Sequence, residues 1–283
     1  MTQYSDHLAP EGLRTRGTVV VVPGRGETRA TYTRFARRLA ADAYRVRVVD
    51  GPDLGAGLGA DLGAGPGPDL HPEELSASLA AFAARITDAV EGTASDEGVV
   101  EPVVFVGADS GAAALAALLS GARAEAQAGV GADTGTPPLR RPDALVLAGL
   151  PGRAAGTLGS WDDELAVRTS CPTHRGVLTE DTQVRRGALD DAFPDALLTA
   201  VHDGDIDVPV LLLVGDTDPL ADHEALARTA KSLPSARLSV VRGAHHDVLN
   251  DLQHRSTAAE VVTFLEALRD GLRPAVTVHS SAW

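Results

Sequence analysis

A short apolar run that ends in a glycine-bracketed aspartate constrains this chain more than any other feature. Val103–Val106 are apolar and mostly β-branched, and Gly107-Ala108-Asp109-Ser110-Gly111 follows them directly. β-Branched residues favour strands, and the small residues around Asp109 permit a sharp turn. The alanine-rich sequence after Gly111 is typical of a helix. We therefore predict a strand, a tight turn and a helix, with Asp109 at the tip of the turn.

The rest of the chain alternates between strand-like and helix-like segments. Apolar, β-branched runs predict strands at Thr18–Val22, Tyr44–Val49, Asp143–Ala148, Val208–Val214 and Arg237–Val241. Apolar residues at helical spacing predict helices over Arg29–Asp42, Pro72–Glu91 and Thr257–Leu268. This alternation is typical of an α/β fold with a mostly parallel, doubly wound sheet that helices cover on both faces.

Three segments interrupt the alternation. Gly51–Leu70 and Gly121–Arg141 are rich in small residues, and we predict loops there. Residues 151–207 show no clear strand pattern. An insertion at this point would lie over the carboxyl end of the sheet, where open α/β folds bind ligands. We therefore predict a core of residues 1–150 and 208–283, with a small cap or lid formed by residues 151–207.

Composition narrows the class of protein. The chain has 283 residues, of which 44% are hydrophobic, and this suits one large globular domain or a core with a cap. The formal net charge of −14 argues against nucleic acid or an anionic membrane as the main partner. No signal peptide or membrane-spanning stretch is evident, and the single cysteine, Cys171, fits a reducing compartment. We therefore expect a cytoplasmic protein, and the sequence does not specify its oligomeric state.

Two further strand-end motifs follow the turn at Asp109. The run that ends at Val214 leads into Gly215-Asp216-Thr217-Asp218, and the run that ends at Val241 leads into Ala244-His245-His246. Nucleophile, acid and histidine in this chain order are typical of α/β-hydrolases. From about Thr18 to Leu268 the chain resembles that superfamily, and its turn at Asp109 resembles the nucleophile elbow, where serine is the usual occupant.

The resemblance implies a role for each of these residues. It implies a triad of Asp109, Asp218 and His246, with Asp216 as the fallback acid, while His245 stands where the family usually has glycine. The acid would fix the imidazole tautomer and stabilise the imidazolium.

The resemblance also implies an oxyanion hole formed by the backbone amides of Arg25 and Ser110. It implies a small-molecule partner and chemistry without a cofactor, and we expect no bound metal.

An aspartate at the elbow suits displacement at a saturated carbon, because attack on an ordinary ester would give an anhydride. Epoxide hydrolases and dehalogenases of this superfamily work through such an alkyl-enzyme ester, which a histidine-activated water then hydrolyses. Their usual companions are missing here. The three tyrosines, Tyr4, Tyr32 and Tyr44, lie outside the predicted cap, and Ser110 stands where dehalogenases commonly have tryptophan.

Glu27, Trp161 and His174 are therefore our candidates for the substrate pocket. The main hypothesis is hydrolysis of a small, fairly apolar molecule through an aspartyl intermediate. Three alternatives stay open. Ser110 could be the nucleophile of an esterase, thioesterase or lactonase, Asp109 could be the base of a non-hydrolytic elimination or cyclisation, or the protein could be an inactive ligand-binding member of the fold.

Overall fold

The computed structural model describes residues 4–54, 71–93, 98–128, 139–152, 158–277 and 279. Its strands are β1 (Tyr4–His7), β2 (Thr18–Val22), β3 (Arg45–Val49), β4 (Val103–Ala108), β5 (Ala144–Ala148), β6 (Val210–Gly215) and β7 (Ala236–Val241). Its α-helices are α1 (Thr33–Ala41), α2 (Pro72–Glu91), α3 (Asp109–Ala128), α4 (Trp161–Arg168), α5 (Pro172–Glu180), α6 (Asp195–His202), α7 (His223–Ser232) and α8 (His254–Arg269). Short 3-10 helices span Arg29–Tyr32 and Ala188–Asp190.

The strands form one seven-stranded sheet in the order β1-β3-β2-β4-β5-β6-β7. Every neighbouring pair is parallel except β1 and β3, which run antiparallel. Strands β2, β4, β5 and β6 are buried along their whole length, because apolar clusters cover both faces of the sheet. The predicted α/β class with a mostly parallel, doubly wound sheet is confirmed.

The predicted elements are present with small shifts at their ends, but helix α3 and strand β1 differ from expectation, and no helix was predicted at the position of α7. Helix α3 continues to Ala128, so the prediction of a loop from Gly121 is wrong for its first turns. An alanine-rich segment of this kind has high helix propensity, which outweighs the single glycine at its start. The predicted loop at Gly51–Leu70 falls almost wholly outside the described residues, as does most of the second loop beyond Ala128.

Strand β1 was not predicted. It is a short, polar edge strand, and the alternation that marks a half-buried strand is absent from its four residues. Side chains hold it in place instead. Asp6 forms ion pairs with Arg45 and Arg47 of β3, and the Arg47 guanidinium lies 3.9 Å from the centre of the Tyr4 ring.

The insertion between β5 and β6 is helical where it is described. Helices α4 and α5 enclose a small apolar cluster of Leu165, Leu178 and Val184, separate from the two main clusters. Helix α6 differs from them, because its Leu197 and Val201 pack into the main core. The proposed cap therefore divides into a part with its own cluster and a helix that completes the core.

Parallel strands bring their carboxyl ends to one edge of the sheet. The loops after β2, β4, β6 and β7 therefore meet there, and each carries one of the charged residues considered next. Among the residues described, no helix is both long enough and apolar enough to cross a membrane.

Candidate active site

Asp109 stands at the sharp turn between β4 and α3. Its φ of +45° lies in the left-handed region, which aspartate tolerates better than most residues, and it is only 4% exposed. The turn depends on small neighbours. A Cβ on Gly107 would lie 2.5 Å from the Ala112 Cα, and one on Gly111 would lie 2.5 Å from the Pro23 carbonyl oxygen. Helix α3 can therefore start directly above β4 and close to the loop after β2.

His246 lies between two buried carboxylates. Its Nδ1 is 2.9 Å from Asp218 Oδ2, and its Nε2 is 3.4 Å from Asp109 Oδ1. The Leu220 amide donates to Asp218 Oδ1 and fixes that carboxylate. The structure therefore brings together the three residues predicted to form a triad, in the order acid, histidine, elbow residue.

The backbone of the histidine loop is held by the end of helix α4. The His246 amide donates to the Val167 carbonyl at 3.2 Å, and the Asp247 amide donates to the Arg168 carbonyl at 2.8 Å. These carbonyls belong to the last turn of α4, where no amide of the same helix can reach them. The insertion thus contacts the catalytic candidates through main-chain atoms.

Arg25 binds Asp109 in two ways. Its backbone amide donates to Asp109 Oδ2 at 2.9 Å, which is one of the two amides expected to form the oxyanion hole. Its side chain adds a bidentate ion pair, with Nε 2.8 Å from Oδ2 and Nη2 3.0 Å from Oδ1. The guanidinium also donates from Nη1 to the Leu189 and Asp191 carbonyls and lies 5.0 Å from the centre of the Phe193 ring. The sequence predicted a role for the Arg25 backbone amide but not the ion pair between the Arg25 side chain and Asp109.

The charges of Asp109 and His246 stabilise each other. Burial alone would raise the pKa of Asp109, but Arg25 and His246 outweigh it and hold that pKa well below its usual range. Burial alone would lower the pKa of His246, but the carboxylates of Asp218 and Asp109 outweigh it and raise the pKa to about 10. At neutral pH the resting site therefore holds an imidazolium between two carboxylates.

The other candidates for these positions have different partners. Asp216 is exposed and accepts from the Gly243 amide, so it does not reach the histidine. His245 pairs with Asp251 at 2.9 Å. Ser110 is buried, and across the described part of the chain no hydrogen bond joins its hydroxyl to His246. Its backbone amide lies in the first turn of α3, beside Asp109.

Two of the three residues proposed for the substrate pocket belong to a second buried polar cluster. His174 Nε2 lies 2.9 Å from Asp247 Oδ2 and 4.0 Å from Glu27 Oε1. Burial and the nearby Asp247 carboxylate raise the pKa of Glu27 to about 7. Arg168 also belongs to this cluster. Its Nη1 lies 3.5 Å from Asp247 Oδ1, and its Nη2 donates to the Arg25 carbonyl oxygen at 2.7 Å. The third proposed residue, Trp161, instead stacks near Arg186 at the start of α4.

Sequence reasoning did not single out Asp247 or Arg168 as functional candidates. Asp247 directly follows the predicted catalytic histidine, and Arg168 lies four residues after Glu164, the spacing of an ion pair on one face of a helix. That spacing was visible in the sequence. It could not show that the pair is buried, with each side chain 1% exposed, beside the loop that carries Arg25.

This arrangement of strand ends defines the α/β-hydrolase fold, with a histidine and its acid beside the turn after β4. The chain belongs to the Hydrolase_4 family, whose sequence profile is described as "Serine aminopeptidase, S33" and matches residues 14–253. The protein is therefore a hydrolase of the α/β-hydrolase superfamily. No curated protein matches the sequence.

Solved structures share the fold at low sequence identity. A soluble variant of monoglyceride lipase from Saccharomyces cerevisiae superposes with a TM-score of 0.64 at 14% identity, covering 94% of this chain and 91% of the lipase. Monoacylglycerol lipase from Paleococcus ferrophilus gives 0.58 at 20% identity, covering 94% and 98%. A point mutant of YbtT, a type II thioesterase from the yersiniabactin biosynthetic pathway, gives 0.54 at 15% identity, covering 94% and 99%. At these identities the likeness concerns the fold alone.

Proposed function

We propose that this protein hydrolyses a small, fairly apolar molecule through a covalent ester on Asp109. One observation carries the proposal. Asp109 Oδ2 accepts the Arg25 backbone amide, while Oδ1 faces His246 Nε2 at 3.4 Å. This geometry supports Oδ2 as the oxygen that becomes the oxyanion, and Oδ1 as the attacking atom once its contact with Arg25 opens.

The first step would be displacement at a saturated carbon of the substrate. Asp109 Oδ1 forms the new carbon–oxygen bond, and the leaving group departs with the electrons of the bond that breaks. The hydrogen bond from Arg25 Nη2 to Oδ1 has to break before this attack. A halide or another stable anion suits this step, because the chain has no cap tyrosine to protonate an alkoxide.

The second step would be hydrolysis of the ester. Esterified Asp109 carries no charge, so the imidazolium of His246 loses one of its two carboxylate partners and releases its proton to solvent with the departing anion. His246, still held by Asp218, then takes a proton from water, and the water oxygen attacks the ester carbonyl carbon. Negative charge develops on Oδ2, where the Arg25 and Ser110 amides would stabilise it. His246 then gives the proton taken from water to the departing alkoxide oxygen, and the alcohol leaves. The carboxylic acid formed on Asp109 passes its remaining proton to His246, which restores the resting carboxylate and imidazolium.

A single turnover in ¹⁸O-labelled water tests this mechanism. The protein is first screened against alkyl halides, epoxides, esters and lactones, and excess enzyme is then mixed with the best substrate. We expect ¹⁸O in the Asp109 carboxylate, detected by peptide mass spectrometry after one turnover. Label in the product alone would exclude an aspartyl ester. Product without any water incorporation would instead support an elimination or cyclisation.

A second candidate is a serine esterase or thioesterase that uses Ser110. The family description names serine enzymes, and the similar structures include lipases and a thioesterase. The pair Asp109→Ala and Ser110→Ala separates the two candidates. Loss of turnover in Asp109→Ala with activity kept in Ser110→Ala supports the carboxylate, and the reverse supports the serine. Binding of a screened compound without turnover would favour a ligand-binding protein.

A further inference from the structure

We propose that Glu27, His174 and Asp247 form a binding site for a divalent transition-metal ion such as Zn²⁺ or Mn²⁺. Each residue offers one donor atom within 4.8 Å of the other two, and His174 Nε2 lies 2.9 Å from Asp247 Oδ2 and 4.0 Å from Glu27 Oε1. Donors at about 2.1 Å from a tetrahedral ion are about 3.4 Å apart, so small side-chain shifts would suffice. The sequence carries no metal-binding motif, and from it we expected no bound metal.

A second observation, independent of the spacing of the donors, is that one carboxylate oxygen of Glu27 is buried without a hydrogen-bond donor in the described part of the chain. The Glu27 side chain is 1% exposed, and its Oε1 has no hydrogen-bond partner among the residues described. Its Oε2 is already satisfied, because it accepts from the Gly24 amide and the Tyr32 hydroxyl. A buried carboxylate oxygen without a donor is costly, and a cation in front of it removes that cost.

Charge balance in the cluster also fits a divalent ion. Arg168 and Glu164 form a buried ion pair at 2.9 Å, and together they are neutral. The carboxylates of Glu27 and Asp247 remain, with a charge of −2 when both are ionised. A divalent ion compensates this charge, whereas a single proton compensates half of it.

The surroundings orient the donors as metal sites require. Arg168 Nη1 approaches Asp247 Oδ1, which leaves Oδ2 directed at His174. Partners of this kind fix the ligand and tune its affinity for metal. On binding, the neutral imidazole of His174 would carry its single proton on Nδ1, so that Nε2 coordinates the ion in place of its hydrogen bond with Asp247 Oδ2.

The donor set selects the class of ion. One imidazole with two carboxylates suits Zn²⁺, Mn²⁺ or Fe²⁺. Ca²⁺ takes six to eight oxygen ligands, and Mg²⁺ prefers oxygen ligands in a near-ideal octahedron, so an imidazole and two carboxylates fit neither.

Two cavities lie beside the cluster. One, of about 650 Å³, borders Glu27 and Asp181, together with Asp50, which pairs with Arg29. The other, of about 330 Å³, borders His174. The side chains of Glu27 and His174 are buried, so side chains around these cavities have to move before an ion can reach the donor atoms.

The ion would join two loops that matter for the reaction. Glu27 lies two residues after Arg25, and Asp247 directly follows His246. An ion bound to the three ligands would connect the loop after β2, which carries Arg25, to the loop after β7, which carries His246. The ligands would therefore be positioning residues, because the ion does not touch the substrate.

Metal titration of the chelator-treated protein tests the site. Isothermal titration calorimetry with ZnCl₂ and with MnCl₂ is expected to show one ion per chain. Glu27→Gln and His174→Gln should each weaken binding at least about tenfold, since each removes a ligand. Melting temperature should rise with ion concentration in the wild type and much less in the two variants.

Two control variants separate this site from other binding. His245→Gln removes a histidine that also pairs with a carboxylate, Asp251, and should bind the ion as the wild type does. Cys171→Ser removes the free thiol and should also keep binding. No saturable binding of either ion to the wild type, binding unchanged in both cluster variants, or loss in either control would overturn the proposal. The wild-type and Cys171→Ser titrations need no cluster variant, so the test holds if a cluster variant does not fold.

Discussion

The guanidinium of Arg25 holds both carboxylate oxygens of Asp109 in a buried ion pair, at 2.8 Å to Oδ2 and 3.0 Å to Oδ1. The contact links the loop after β2 to the turn after β4. It also explains why the Asp109 charge is tolerated at a site that is almost fully buried.

Removal of this guanidinium should destabilise the fold. Arg25→Ala leaves the Asp109 carboxylate buried with His246 as its remaining cationic partner, and we expect a loss of about 3 kcal/mol in the free energy of unfolding. Urea denaturation at pH 7 measures it. The matched control is Arg228→Ala, whose pair with Glu224 is exposed and long at 3.8 Å, and which should cost no more than about 0.5 kcal/mol. Equal losses in the two variants would contradict a special role for Arg25.

Substitution of His246 should separate the two steps of the proposed reaction. His246→Gln removes the base that activates water but keeps the Asp109 carboxylate, so an ester on Asp109 should accumulate. Intact-protein mass spectrometry after incubation with an alkyl halide is expected to show a stoichiometric mass increase. Adding Asp109→Asn to this variant should abolish the increase. An adduct that maps to Ser110 would point to the serine mechanism.

The glycine before the elbow should tolerate no side chain. Gly107→Ala would place its Cβ within 2.6 Å of the Ala112 backbone nitrogen, so helix α3 must shift, at a cost of about 1–3 kcal/mol. The control is Gly121→Ala. Gly121 lies within helix α3, where an added Cβ meets open space, so this substitution should stabilise the protein by up to about 1 kcal/mol. Thermal unfolding of both variants checks this. The prediction fails if Gly107→Ala melts at or above the wild-type temperature.

Asp251 should contribute stability that acid removes. Hydrogen bonds from the His245 amide and the Thr169 hydroxyl, among others, outweigh burial and lower its pKa to about 2. Because the folded pKa lies below the unfolded value, this stabilisation is complete above about pH 5 and is lost progressively as the pH falls towards 2.

Comparison of Asp251→Asn with the wild type measures that contribution. We expect the variant to be less stable by about 2 kcal/mol at pH 7, with a gap that narrows as the pH falls below about 5. Other acid-sensitive groups are common to both proteins and cancel in the difference. A gap that stays constant from pH 7 to pH 2.5 would show that the carboxylate charge is not what stabilises this loop.

Strands and helices could be predicted wherever apolar periodicity sets them. Thr18–Val22 and Pro72–Glu91 have the bounds expected from the sequence, since burial on a sheet or a helix face dictates their pattern. Strand β1 could not be predicted, because ion pairs to residues about 40 positions away hold it in the sheet. Long-range electrostatic contacts of this kind leave no local pattern.

The candidate site was also predictable only where local sequence patterns define it. Chain order and strand ends sufficed to expect Asp109, Asp218 and His246 together. Arg25 was expected to supply an amide, but the direction of its side chain depends on how close two loops come in the fold. Glu27 and His174 were expected at a substrate pocket, whereas the structure places them in a buried cluster with Asp247. Whether a polar residue is buried depends on which residues surround it in the fold, and the composition of the chain does not show this.

The contact between the end of helix α4 and the histidine loop constrains how this protein can evolve. The Val167 and Arg168 carbonyls receive the His246 and Asp247 amides, so main-chain positions matter there more than side-chain identities. Substitutions can accumulate at the exposed positions of α4, whereas its buried residues and its last turn have to stay in place. An insertion or deletion within this helix would move the backbone that holds His246, so we expect lineages of this protein to diverge at the exposed positions of α4 more readily than in its length.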